Sequence, residues 1–309
     1  MKNIKLKRIL LIVCSCFVYS CSDSSGSEAN GDNSLVPGQK GSGYFEYTDY
    51  APLAKQPIKV FFHIPTNSNS NTPIVFLFHG DDRNASQYRD ALINKSEQKN
   101  FIILAPEFSE TYYPTGDKYN LGNVFVDGDN PTPSTLNPEN VWTFSIIEPI
   151  FDYFKKQMIH NTNTYDIIGH SAGGQFAHRF LMFKPNARFN KIVASASGWY
   201  TVPDTKIDFP YGFLKSPLEA LSLGSLFSKK VYIQIGLDDN DANSPGLRHN
   251  AEADAQGLNR LTRANYFFNY SKNLGLQNNL NFQWELSTVA GLNHDYIPAV
   301  NSAADLIYK

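Results

Sequence analysis

Residues 164–174 read TYDIIGHSAGG. The first six read as a strand, and 172–184 follow as a helix. Between them Gly169-His170-Ser171-Ala172-Gly173 fits the pattern G-x-S-x-G, with a further Gly174. A sharp strand-to-helix turn there puts the serine backbone in a strained conformation and lifts its hydroxyl clear of the sheet. A Cβ two residues to either side would collide with neighbouring backbone, which explains the spacing of the glycines. The helix start beneath offers free N–H groups and the positive end of a dipole to a developing negative charge.

Outward from this turn the chain alternates. Strands are expected at 44–50, 57–64, 73–78, 101–106, 164–169, 191–197, 230–236 and 281–289. Helices are expected at 86–97, from Asn137-Pro138 to Met158, at 172–184, 250–274 and 296–308, with a long surface loop over 107–137. The alternation predicts one α/β domain: an eight-stranded, mostly parallel sheet with helices on both faces, and 199–228 as a small cap inserted between two strands. No internal repeat is visible.

With this order of elements, residues 44–309 resemble the α/β-hydrolase fold. The resemblance implies a second oxyanion donor in the loop after the third strand, often behind a His-Gly pair. Here that strand ends Phe78-His79-Gly80-Asp81, so the implied donor is the backbone N–H of Asp81, or of Asp82 if the turn is shifted, paired with that of Ala172. Two acidic side chains at this point depart from the common pattern. A carboxylate aimed at the hole would oppose an oxyanion, so both are expected to point away, toward Arg83. His79 is expected to hold the loop by hydrogen bonds. The family order is nucleophile, then an acid after the seventh strand, then histidine after the eighth. The seventh strand ends Ile235-Gly236-Leu237-Asp238-Asp239-Asn240-Asp241. The family's spacing from the strand-end glycine implies Asp239, with Asp238 and Asp241 as close alternatives. Of the seven histidines only His294 follows the eighth strand, and the resemblance makes it the base for Ser171.

The stretch 79–84 (HGDDRN) followed by Tyr88 is similar to polyhydroxybutyrate-depolymerase-like and feruloyl-esterase-like enzymes, which implies a carboxylic ester substrate. Trp142, Trp199, Tyr200, Tyr211 and Phe213 lie where the strands end and are candidates to line an acyl or aromatic pocket. His178-Arg179-Phe180 and Tyr88-Arg89-Asp90 read as packing and helix-surface features. No cofactor or metal is expected: zinc-ligand, dinucleotide and phosphate-loop patterns are missing from the sequence. A calcium loop opening at Asp239 fails at Ser244 and Asn250, where glycine and a bidentate glutamate belong.

The first twenty residues carry four cations (Lys2, Lys5, Lys7 and Arg8) and an uncharged apolar stretch from Ile9 to Tyr19. That is a secretory leader pattern. The next residues, Val18-Tyr19-Ser20-Cys21, resemble the lipobox of bacterial lipoproteins, which implies cleavage before Cys21 and a lipid on it. Residues 21–43 are rich in Ser, Gly, Asn and Asp and read as a flexible tether. The expected location is the cell envelope, anchored to a bacterial membrane by that lipid and facing the periplasm or the exterior.

Composition removes other classes. The 309 residues carry 27 Lys+Arg against 29 Asp+Glu, with none of the basic excess of a nucleic-acid binder. No run of 18 apolar residues exists to span a membrane. The reading best supported is a serine hydrolase for carboxylic esters. The same residues also fit a peptidase or thioesterase, and a binding lipoprotein on a hydrolase fold is the non-enzymatic alternative.

Overall fold

Residues 73–78 and 101–106 are apolar at nearly every position because each strand is covered on both sides. The computed structural model describes residues 35–309, which form one unit; the expected leader, Cys21 and the expected tether as far as residue 34 lie outside the described residues. Among the described residues, eight strands make one sheet: β1 (Gly41–Tyr47), β2 (Ile58–Ile64), β3 (Ile74–Phe78), β4 (Ile102–Glu107), β5 (Tyr165–His170), β6 (Phe189–Ser195), β7 (Lys230–Gly236) and β8 (Trp284–Val289). Their order is β1-β2-β4-β3-β5-β6-β7-β8. β2 runs antiparallel to β1 and β4, and every other pairing is parallel.

The helices are α1 (Ala85–Lys99), α2 (Thr115–Lys118), α3 (Ile147–Met158), α4 (Ala172–Phe183), α5 (Leu223–Phe227), α6 (Ala251–Ala255), α7 (Arg260–Gln277) and α8 (Tyr296–Ile307). Alternate strand residues face opposite layers, as the two-residue period requires. Val75, Leu77, Ile103, Ile168 and Val193 pack with α1 and α8. Phe76, Phe78, Leu104, Ile167 and Ile192 belong to the larger core with α3, α4 and α7.

Register aligns the strand ends. Phe78 pairs with Gly169, and His170 with Ser195, so the loop after β3 lies beside the turn after β5. Gly236 pairs with Val289, so the loops after β7 and β8 are also neighbours.

Several boundaries differ from the sequence reading. The expected tether gives way to strand before residue 44: β1 starts at Gly41 and pairs along its full length with β2, and Leu35 is already buried. The helix expected from Pro138 starts only at Ile147. Trp142 is extended (ψ 140°) and separates two short 3-10 turns ahead of α3. The helix expected at 250–274 is broken. Gly257 sits at φ 135°, and Asn259 caps a fresh start by accepting from the Thr262 N–H at 2.9 Å. The 107–137 loop holds the single turn α2 and a 3-10 turn at Pro133–Thr135. The 199–228 insertion carries only α5 and one 3-10 turn, and most of its aromatic side chains are buried.

Candidate active site

Ser171 is the residue between β5 and α4, at φ 57° and ψ −119°. Few L-residues adopt that conformation, and it persists because the surroundings over-determine it. The Ser171 N–H donates to Ser195 O at 2.9 Å, and its carbonyl accepts from the Gln175 N–H at 3.0 Å. A Cβ on Gly169 would lie 2.1 Å from Gly173 O, and one on Gly173 would lie 2.1 Å from Phe78 O. Both glycines are therefore required by close backbone approach, as the spacing predicts.

The loop after β7 is fixed to the loop after β8. The Leu237 N–H donates to Val289 O at 2.9 Å and the Asp238 N–H to Leu292 O at 3.0 Å. This junction brings His294 between two partners. His294 Nε2 is 3.0 Å from Ser171 Oγ, and Nδ1 is 2.7 Å from Asp239 Oδ2. Asp239 is buried, whereas Asp238 and Asp241 face solvent and Asp241 accepts from the Asn243 N–H. Of the three acids, Asp239 alone meets the imidazole. The row Ser171–His294–Asp239 can carry a proton from the hydroxyl to the imidazole while the carboxylate holds Nδ1.

The second carboxylate oxygen of Asp239 lies 3.5 Å from Arg260 Nη1, and both side chains are buried. Arg260 also donates to Ser244 Oγ at 2.7 Å. Burial lowers the pKa of its guanidinium, and Asp239 opposes that shift. The sequence reading missed Arg260. The only local signal is the helix cap at Asn259, which places Arg260 in the first position of α7 and says nothing about its partner.

On the other side of Ser171 stands the loop after β3. His79 is fully buried. Its Nδ1–H donates to Gly80 O at 2.7 Å, and Nε2 accepts from the Phe108 N–H at 3.1 Å. Burial pushes its pKa down to about 3, so it is a neutral strut for the loop, as expected. The N–H groups of Asp81 and Ala172 form no hydrogen bond among the described residues, and Ala172 opens α4, where a helix has no internal acceptor for it. Asp81 and Asp82 are exposed at the cleft rim. Arg83 does not turn to them. Its Nη1 donates to Phe108 O at 3.1 Å and its Nη2 to Thr115 O at 3.2 Å, because a buried guanidinium needs fixed acceptors.

Ser171 and His294 open into a cleft of about 560 Å³ whose walls include Trp199, Asn120, Gln175, Arg248 and Arg260. Of the five aromatic residues expected to line a substrate pocket, only Trp199 lines it, and Phe213 is buried away from it. Trp142 packs on Phe183 at 5.5 Å and donates to Asn137 O. Tyr200 stacks on Phe267 at 4.5 Å in the core. Tyr211 stands behind Trp199 at 4.6 Å, its hydroxyl accepting from Asn250. All three have apolar packing partners that remove their rings from the cleft. The Trp199 ring has the guanidinium of Arg179 at 4.1 Å and that of Arg248 at 4.9 Å. Arg179, read from sequence as packing, is fully buried and supports this wall. Tyr88, read from sequence as a helix-surface or packing residue, is buried at the cleft.

A mostly parallel sheet covered on both faces, with a serine on a strained turn after its fifth strand, defines an α/β-hydrolase. No family model and no curated protein sequence matches the chain. Solved structures do. Poly(aspartic acid) hydrolase-1 from Sphingomonas sp. KT-1 superposes with a TM-score of 0.81 at 35% identity, over 88% of this chain and 100% of that one. The poly(3-hydroxybutyrate) depolymerase LpqC from Bordetella parapertussis gives 0.80 at 28% identity, over 88% and 90%. The S-formylglutathione hydrolase from Agrobacterium tumefaciens shares the fold, with a TM-score of 0.53 at 15% identity, over 86% and 92%. The chain belongs to the polyhydroxybutyrate-depolymerase-like family of α/β-hydrolases that includes poly(aspartic acid) hydrolase-1, and it is a serine hydrolase.

Proposed function

We propose that the protein is an extracytoplasmic hydrolase that cleaves carboxylic esters through an acyl-enzyme on Ser171, with His294 as base and Asp239 as its orienting acid. The observation that carries this reading is the hydrogen-bonded row of 3.0 Å and 2.7 Å leading from a strained serine into the buried carboxylate. Ser171 Oγ attacks the acyl carbon while its proton passes to His294 Nε2. The oxyanion meets the N–H groups of Ala172 and Asp81, each such donor being worth about 3 kcal/mol. His294 returns the proton to the leaving alkoxide. Water then gives its proton to His294 and attacks the acyl carbon, and the acid departs as Ser171 regains its hydrogen.

The test is hydrolysis of p-nitrophenyl butyrate by wild type and Ser171→Ala. A loss of about 10⁴-fold or more is expected; equal rates would overturn the reading. A second reading, amide cleavage in an anionic polymer, is supported by the partly exposed guanidinium of Arg248 in the cleft wall. Rates on poly(aspartic acid) beside neutral esters separate the two.

The N-terminal sequence supports a lipid anchor on Cys21 in a bacterial envelope. An acidic protein gains little from anionic headgroups, so the lipid has to supply the anchoring. Metabolic labelling with palmitate should mark the wild type and not Cys21→Ser. Equal labelling of both would remove the anchor.

A further inference from the structure

Tyr88 on α1 touches all three segments that build the site. Its hydroxyl shares a 2.9 Å hydrogen bond with His170 Nδ1, one residue before the nucleophile. A Cβ on Gly80, next to the oxyanion donor Asp81, would lie 2.9 Å from the same hydroxyl. Its ring stacks at 4.4 Å and 15° on Tyr296, two residues after His294. His170 in turn places its ring 4.8 Å from that of His294. Both Tyr88 and His170 are almost wholly buried, and His170 Nε2 has no partner among the described residues. A polar pair is costly to bury inside a core that hydrophobic side chains would fill at less expense. Its place at the junction of three functional loops gives it a role that packing does not.

We propose that Tyr88 and His170 form one positioning unit for the reaction. The unit holds a neutral imidazole face against His294 and ties the oxyanion loop to the serine turn. When His294 takes the Ser171 proton it becomes a cation. A neutral ring 4.8 Å away favours that cation, as an aromatic face does, whereas a second charged histidine would repel it. The other charged groups facing the pair are Arg260 from α7, Asp239 on the far side of His294, and Asp82 and Asp295 near the Tyr88 hydroxyl. Burial, with His294 and Arg260 adding to it, holds the His170 pKa well below the ordinary value. The hydroxyl of Tyr88 fixes the plane of the ring.

The inference rests on the hydrolytic reading above, and Ser171→Ala in parallel keeps the two apart. In the full chain, Tyr88→Phe retains the stack on Tyr296 and removes only the hydroxyl. The expected result is kcat down about tenfold with KM unchanged, and the acid limb of kcat/KM moved about half a pH unit lower. Adding His170→Asn to Tyr88→Phe should cost little more than either alone, since coupled residues are not additive. Should Tyr88→Phe fail to fold, the same downward shift is required of His170→Asn. An unmoved acid limb in a folded variant, or fully additive losses, overturns the proposal. Activity that survives Ser171→Ala overturns the hydrolytic reading instead.

Discussion

At the scale of single residues, Gly173 shows how little freedom the site leaves. Its missing Cβ is occupied by the carbonyls of Phe78 and His79, at 2.1 and 2.6 Å. Both are backbone atoms at the end of the strand that carries the oxyanion loop, so neither yields cheaply. Gly173→Ala should destabilise the protein by about 3 kcal/mol in urea unfolding and lower activity in the fraction that folds. A stable, fully active variant would show the loop to be softer than this packing implies. That Ser171, Asp239 and His294 meet was legible because chain order and spacing are one-dimensional properties. The contact of Arg260 with Asp239 was not, since no pattern in its own helix marks that partner. Tyr88 was not legible either: one buried tyrosine on a mostly polar helix gives no pattern to read.

At the scale of elements, strands were easier to locate than helices. Two-sided burial writes a continuous apolar run into each central strand, and β3 and β4 fall within a residue of their expected limits. Helix starts depend on turns that periodicity does not register. The apolar spacing from 138 to 158 reads straight through Trp142, although the backbone there is extended. The break at Gly257 is visible in sequence only as one glycine, a residue that helices tolerate at a cost of about 1 kcal/mol. Here the cost is decisive because Asn259 and Thr262 form a complete capping box behind it. The strand at 41–43 was hidden by composition: Gly-Ser-Gly looks like linker, and only pairing with Phe62–Ile64 makes it strand. The aromatic residues beyond β6 were assigned to the cleft on position alone, and position does not say which way a ring turns.

At the scale of the whole molecule, three fully buried histidines set an acid limit. His79, His170 and His178 all have pKa values depressed by burial, that of His79 to about 3. The unfolded chain takes up protons at these positions below about pH 6.5, and the folded chain does not. Stability is therefore present at neutral pH and is lost as pH falls. Asp166 and Glu107 work the other way, because burial raises their carboxyl pKa and the folded chain protonates them first. The net expectation is a stability that falls as pH drops from 6 to 4, measured by urea unfolding. A flat profile in that interval would show that these histidines are protonated in place.

The sheet also sets the order in which the parts of the site can come together. Ser171 follows a central strand, but His294, 3.0 Å from its hydroxyl, hangs from β8, the outermost member on that side, 123 residues further along the chain. A polypeptide emerging from synthesis with its amino end leading thus completes its serine turn long before the imidazole arrives. On the reading proposed above, the serine stays mute until the border strand zips onto β7, and fraying of that border would silence it again.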